Sequence, residues 1–118
     1  MEEKLPSRIE FLQGTLDVLI LRTLSSGQAH GHAIAKHIRH SSEDVFQVET
    51  GSLYPALHRL EAKGWIAASW DLSDKGKRAR YYRLTSLGKK HLTSGQSRWN
   101  AFSRAMGLIL NAAPKGVS

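Results

Sequence analysis

Residues 50–64 combine a leucine repeat with side chains that can form hydrogen bonds. Leu53, Leu57 and Leu60 recur at spacings of four and three, the pattern of a helix with one buried face. The opposite face carries Thr50, Ser52, Tyr54, His58 and Arg59. Arg and His side chains can reach base edges, and the start of a helix suits phosphate. The segment therefore predicts a helix that contacts DNA, the alternative being an ordinary amphipathic helix with a solvated face.

A cationic hairpin follows this helix. Residues 65–70 and 79–84 are typical of strands, and the polar segment between them contains Gly76. The basic residues from position 71 to position 83 are Lys75, Lys77, Arg78, Arg80 and Arg83, against two acidic residues, Asp71 and Asp74. Long cations on a loop can follow a phosphate backbone or enter a minor groove, but a charge run can also be merely solvated. Trp65, Trp70 and Tyr82 are predicted to form the core of the hairpin.

The C-terminal segment carries an apolar stripe with heptad-like spacing. Its large members are Leu92, Trp99, Phe102, Met106 and Ile109. The first predicted helix has a second apolar face through Phe11, Val18 and Leu21. Both surfaces need cover, either from the chain's own domain or from a second copy. We predict a dimer interface, because apolar patches of this size usually mark interfaces.

Four histidines, His30, His32, His37 and His40, cluster around the second predicted helix. His37 and His40 are three residues apart, which is a spacing that metal sites use. The chain has no cysteine, and the nearby carboxylates fall in a loop. We therefore interpret these histidines as surface or capping residues. The sequence predicts no metal, no cofactor and no catalytic arrangement.

These segments fall in a definite order along the chain. Helices are predicted at residues 11–24, 31–39 and 50–63, followed by the two strands and by a last helix from Thr85 to about Asn111. Three helices and a hairpin make a winged helix-turn-helix, in which the third helix enters the major groove. The predicted class is α+β and mainly helical. We assign residues 9–84 to a DNA-binding domain and residues 85–112 to a dimerisation helix.

The bulk composition agrees with a polyanionic partner. The chain has 118 residues, 17 Lys and Arg against 10 Asp and Glu, a net charge of +7 and a pI near 10.1. Nucleic acid and an anionic membrane surface both fit this charge, which alone does not separate them, and some basic proteins bind neither. The N-terminus is unlike a signal peptide, and no apolar segment is long enough to span a bilayer. We expect a soluble cytoplasmic protein with no membrane partner.

Residues 51–66, GSLYPALHRLEAKGWI, strongly resemble the recognition-helix signature of PadR-type transcriptional regulators. Residues 13–21, the motif His30-Gly31-His32 with Ile34, and residues 80–85 with Gly88 resemble other parts of that family in the same order. The resemblance implies a dimeric repressor, often responsive to small aromatic or hydrophobic effectors. Unlike longer members, this chain has a single C-terminal helix.

We therefore expect a sequence-specific regulator that binds double-stranded DNA as a homodimer on a palindromic operator. Two alternatives within the binding class are an RNA-binding winged helix and a protein adaptor that uses the fold only for protein contacts. An alternative from the enzyme class is a small metal-dependent hydrolase that uses the histidines of the second helix.

Overall fold

The computed structural model describes residues 14–113, which form four helices and a small sheet. The elements are α1 (Thr15–Leu24), β1 (Ala29–His30), α2 (Gly31–Ser41), α3 (Thr50–Ala62), β2 (Ile66–Leu72), β3 (Arg78–Leu84) and α4 (Ser86–Leu110). This order confirms the predicted class and the winged helix-turn-helix arrangement. Phe11, expected in the dimer interface, lies outside the described residues.

The sheet is antiparallel, with strand order β1-β3-β2. β2 and β3 pair from Ile66 opposite Leu84 to Leu72 opposite Arg78, and they form the wing. Both strands are longer than predicted, because backbone pairing continues past the residues that pack on the core. The two residues of β1 cover the other edge of β3 and were not predicted.

The core lies between the first three helices and the base of the wing. The leucine stripe of α3 is confirmed, since Leu53, Leu57 and Leu60 are at most 1% exposed. Ile66 and Tyr82 close the core from the sheet side. Burial of these apolar side chains holds α3 against the core, because removing apolar surface from water is favourable.

Two residues expected in the dimer interface belong instead to this core. Leu21 and Leu92 are 1% and 9% exposed in the single chain, so neither has surface left for a partner. The sequence pattern showed that both helices have apolar faces, but it did not show that these two side chains face the core of their own domain. Trp70 is the opposite case: predicted as hairpin core, it is 58% exposed, because the wing extends beyond the helices at that point.

Helix α4 starts on the domain and continues away from it. The Thr85 side chain caps the helix, accepting a hydrogen bond from the Gly88 N–H at 3.0 Å. A Cβ at Gly88 would lie 2.0 Å from the Trp65 carbonyl oxygen, so only glycine permits this close approach. Val18 of α1 likewise packs against Gly95. These contacts fix the direction of α4.

The second half of α4 has no buried residue. Of the described side chains at positions 96–110, none is buried. The 25-residue helix is about 37 Å long, and the described chain extends 63 Å in its longest direction. No helix between residues 14 and 113 is long and apolar enough to cross a membrane.

Candidate nucleic-acid interface

Helix α3 presents its polar face to solvent because its leucines face the core. Thr50, Ser52, Tyr54, His58 and Arg59 are all exposed, as the leucine spacing predicted. The helix begins at Thr50 with Glu49 as its N-cap, and no side chain caps it. The Ser52 and Leu53 N–H groups donate to the Glu49 carbonyl. The side chains of Thr50 and Ser52 therefore stand at the start of the helix without being used as its caps.

Arg59 is bound to a carboxylate of α1. Its Nη2 donates to Asp17 Oδ1 at 2.6 Å, and Asp17 is only 8% exposed while the Arg59 side chain is half exposed. A guanidinium has five N–H donors, so the pair leaves others for a ligand. Asp17 thus orients Arg59 and offsets its charge. The two residues are 42 positions apart, and sequence reasoning did not detect the pair.

The Tyr54 side chain of α3 packs against the start of α2. A Cβ at Gly31 would lie 2.6 Å from Tyr54 Oη, so the ring packs tightly on the first residue of α2. Its side chain is still 39% exposed. Tyr54 therefore combines a packing role with the predicted exposed position.

The wing is attached to α3 by an ion pair. Arg80 Nη2 donates to Glu61 Oε2 at 2.7 Å, with both side chains partly buried. Burial raises the pKa of the neighbouring Tyr82, and the Arg80 charge opposes that rise. Arg80 was predicted as a DNA contact, and the structure gives it this second partner. Lys75 and Lys77 lie exposed near the turn, and the Arg78 guanidinium lies over the Trp70 ring, with Cζ 4.9 Å from the ring centroid.

An open cleft of about 810 Å³ separates the helices from the wing. It brings together six of the predicted DNA-contacting residues: Tyr54, His58, Lys75, Lys77, Arg78 and Arg80. Thr50, Ser52 and Arg59 lie outside it. Sequence reasoning missed Lys36, His30, His32 and Trp70, which also line it. Among the described residues, five Lys or Arg side chains and one Asp line the cleft, a net charge of +4 with histidines neutral.

Two histidines near α2 have structural contacts, namely His30, which lines the cleft, and His37, which does not. His30 caps α2, because its Nδ1 accepts a hydrogen bond from the Ala33 N–H at 3.1 Å. His37 Nε2 lies 3.3 Å from the Ser41 hydroxyl. Capping by His30 confirms one of the roles expected for this cluster. Between residues 14 and 113, the structure places no three His, Asp or Glu side chains together in a group that could hold a metal ion.

Comparison with known proteins agrees with this geometry. The chain is 36% identical over 104 residues to an uncharacterized protein from Lysinibacillus sphaericus, covering 87% of this chain and 94% of that protein. It is 33% identical over 84 residues to a transcriptional regulator from Mycobacterium tuberculosis, covering 71% and 75%. The crystal structure of a PadR family transcription regulator from Clostridium difficile superposes with a TM-score of 0.71 at 32% identity, covering 82% and 99%.

A family model provides the assignment. Residues 20–94 match the model of the "Transcriptional regulator PadR-like family", and they include α2, α3 and the wing, which form the cleft. The match covers more than half of the chain, and the relatives above align over most of their own length. This chain therefore belongs to the PadR-like family of transcriptional regulators.

Proposed function

We propose that this regulator binds double-stranded DNA sequence-specifically as a homodimer and represses transcription from a palindromic operator. The observation that carries the proposal is the cationic cleft, which is continuous from α3 to the wing. Phosphate contacts from Lys and Arg supply most non-specific affinity for DNA. A repressor needs only to occupy the promoter, and the family's function is regulation of transcription.

The proposed docking places α3 in the major groove and the wing beside it. His58 then faces base edges, while Thr50 and Ser52 lie where the start of a helix meets phosphate. Arg59 reaches the DNA with donors that Asp17 leaves unused. Lys75 and Lys77 follow the backbone. In this account residues 9–84 bind DNA, and residues 85–112 hold the two copies together.

The exposed half of α4 supports the proposed dimer. Trp99, Phe102 and Met106 are between 42% and 48% exposed, and Ile109 is 76% exposed. A two-fold axis buries the same apolar face of both copies, and it sets two recognition helices about one DNA turn, ~34 Å, apart. Val18 contributes the part of α1 that adjoins α4.

We place the small hydrophobic or aromatic effector expected for this family in a groove of about 330 Å³ between α1 and α4. Its walls include Val18, Leu19, Phe46, Trp99 and Phe102. A ligand there would touch both the dimer surface and the helix that holds Arg59 through Asp17. Effector binding and DNA binding would then be coupled through α1.

Replacing Lys75 and Lys77 together by Ala tests the DNA-binding surface. We expect weaker binding to every duplex, because phosphate contacts do not depend on sequence. Each lost contact should also reduce the magnitude of the negative slope of log K against log salt by about 0.9. The measurement is fluorescence anisotropy with a labelled random-sequence duplex at several salt concentrations. The matched control is Lys89→Ala with Lys90→Ala, which removes the same charge from exposed positions on α4.

The proposal requires the slope of log K against log salt to become shallower for the wing variant and to stay unchanged for the α4 variant. Equal slopes for the wild type and the wing variant would contradict a wing that contacts the backbone. A binding constant independent of salt would favour the adaptor alternative. Competition by duplex RNA as strong as that by duplex DNA would favour the RNA-binding alternative, because A-form RNA has a different groove shape.

A further inference from the structure

Trp65, between α3 and β2, is held to the last turn of α3. Its N–H donates to the Leu60 carbonyl at 3.0 Å, and Gly64 forms the turn before it with a φ of +77°. Glycine is the usual residue for this left-handed position at the end of a helix. The Lys63 ammonium lies 4.6 Å from the centroid of the Trp65 ring. The indole is therefore placed by the end of the helix that we propose reads DNA.

The start of α4 packs directly on Trp65. The Trp65 carbonyl accepts a hydrogen bond from the Thr85 N–H at 3.1 Å, and Gly88 leaves the space that this approach requires. The His91 ring stacks on the indole, with ring centroids 3.9 Å apart and ring planes 15° from parallel. Both side chains are partly exposed, so the stack lies at the surface of the domain. We refer to this contact as the Trp65–His91 junction.

The junction holds α4 from a side that its core contacts do not cover. Leu92 packs in the core, and Val18 of α1 contacts Gly95, so these contacts hold one face of α4. His91 is about 100° around the helix from Leu92. Beyond Gly95, none of the described side chains of α4 is buried. The direction of the exposed half is therefore set within residues 86–95, and the stack ties that direction to α3.

The angle between α3 and α4 has a large effect on the geometry of the proposed dimer. Met106, in the proposed interface, lies about 22 Å along α4 from His91. Over this length a tilt of about 10° displaces one end of the helix by roughly 4 Å, close to the step of about 3.4 Å between base pairs. This angle therefore determines how far apart the two recognition helices of a dimer stand.

We infer that Trp65 and His91 are positioning residues that fix the half-site spacing this regulator accepts, without touching DNA themselves. The inference rests on the proposed function, because only a dimer with one α3 in each half-site has a spacing to select. Moving one half-site by one base pair shifts it by about 3.4 Å and rotates it by roughly 35° about the DNA axis. Stacked rings prefer a defined offset, so the junction resists the tilt of α4 that would follow such a shift.

The experiment titrates the full chain against an inverted repeat selected from a random pool, at its selected spacing and with one base pair inserted or removed at its centre. We expect the wild type to bind the shifted repeats roughly tenfold or more weakly, within the cost of one mismatched base pair. His91→Ala should reduce this ratio by roughly two- to tenfold, the range that the coupling of an aromatic pair spans. Its affinity for a single half-site should stay unchanged, because His91 is outside α3 and outside the core.

Conservative and control variants separate the stack from other effects of losing a histidine. His91→Phe keeps a flat ring and should keep the wild-type ratio, whereas His91→Gln keeps a polar side chain without a ring and should behave like His91→Ala. The matched control is His37→Ala, which removes an exposed histidine of α2 whose Nε2 lies 3.3 Å from the Ser41 hydroxyl. This control should leave both the spacing ratio and the half-site affinity unchanged.

The inference is overturned if His91→Ala discriminates between spacings as strongly as the wild type, or if His91→Phe loses discrimination to the same extent as His91→Ala. Equal losses of affinity for the half-site and for the full repeat in His91→Ala would indicate a general effect on the domain and would also overturn it. A wild type that binds the full repeat no better than a half-site would instead reject the proposed dimeric function. The titration series therefore distinguishes failure of the inference from failure of the proposed function.

Discussion

Replacing Trp99 and Met106 together by Ala is expected to convert the proposed dimer into monomers at micromolar concentration. Both side chains are nearly half exposed in the single chain and are buried only if a partner covers α4. Large-to-small changes at buried positions cost about 2–5 kcal/mol each. Since a dimer contains two copies of each residue, the combined loss is large compared with the free energy of a typical association.

Loss of the proposed dimer should also affect the affinity for a full operator and the affinity for a half-site to different extents. A linked second subunit binds at high effective concentration, so its release lowers affinity for a full operator much more than affinity for one half-site. Analytical ultracentrifugation measures assembly, and titration of full and half operators measures binding. The double variant should keep the secondary structure of the wild type, because neither residue belongs to the core of the domain.

Leu108→Ala is the matched control for this prediction. Leu108 is an exposed leucine of α4 that lies about half a turn around the helix from Trp99. Its truncation removes apolar surface from the same segment and should leave the dimer intact. A double variant at Trp99 and Met106 that remains dimeric and binds the full operator normally would contradict this account of assembly.

Arg59→Ala is expected to destabilise the fold as well as weaken DNA binding. It leaves the buried Asp17 carboxylate without the partner that lies 2.6 Å away. Removing one member of a charged hydrogen-bonded pair costs about 1–3 kcal/mol in the free energy of unfolding. Urea unfolding measures this directly. Adding Asp17→Asn to Arg59→Ala should recover part of the loss, because the buried charge is then removed.

Arg39→Ala serves as the control for the stability effect. Arg39 pairs with Asp44 at 3.9 Å, but both side chains are well exposed, at 45% and 75%. Exposed pairs contribute about 0–1 kcal/mol, so its removal should change stability little. Equal stability of the Arg59→Ala variant and the wild type would show that the contact with Asp17 does not help to hold α1 against α3.

The sequence predicted the parts of the structure that depend on local patterns. The leucine spacing of α3 identified its buried face, and Thr85 marked the start of α4. Both signals involve residues within one or two helical turns of each other. The wing was also predicted, since its strands and polar turn are adjacent in sequence.

Local sequence patterns did not predict the contacts between segments that are far apart in the chain. Strand β1 has two residues, too few for any periodicity to appear. Leu21 was assigned to a dimer interface because periodicity shows that a face is apolar but not what covers it. Trp70 was assigned to the core because large aromatic residues are usually buried, yet the hairpin extends beyond the helices that could cover it.

The site itself was predicted in part. The exposed residues of α3 and the cations of the wing were identified from charge and spacing. The neutralising partners of Arg59 and Arg80, and the cleft residues Lys36 and Trp70, depend on the packing of α1, α2 and the wing around α3. These contacts join residues 19 and 42 positions apart in the two ion pairs, so no local motif reveals them.

Selection of bound duplexes from a random pool, followed by sequencing, tests the central claim most directly. The account predicts an enriched inverted repeat whose half-sites are centred about 10 base pairs, or one DNA turn, apart. Such a repeat would reflect two copies of α3 related by the two-fold axis of the proposed dimer. Recovery of no enriched motif, or of a single unrepeated half-site, would contradict a dimeric regulator that reads DNA through α3.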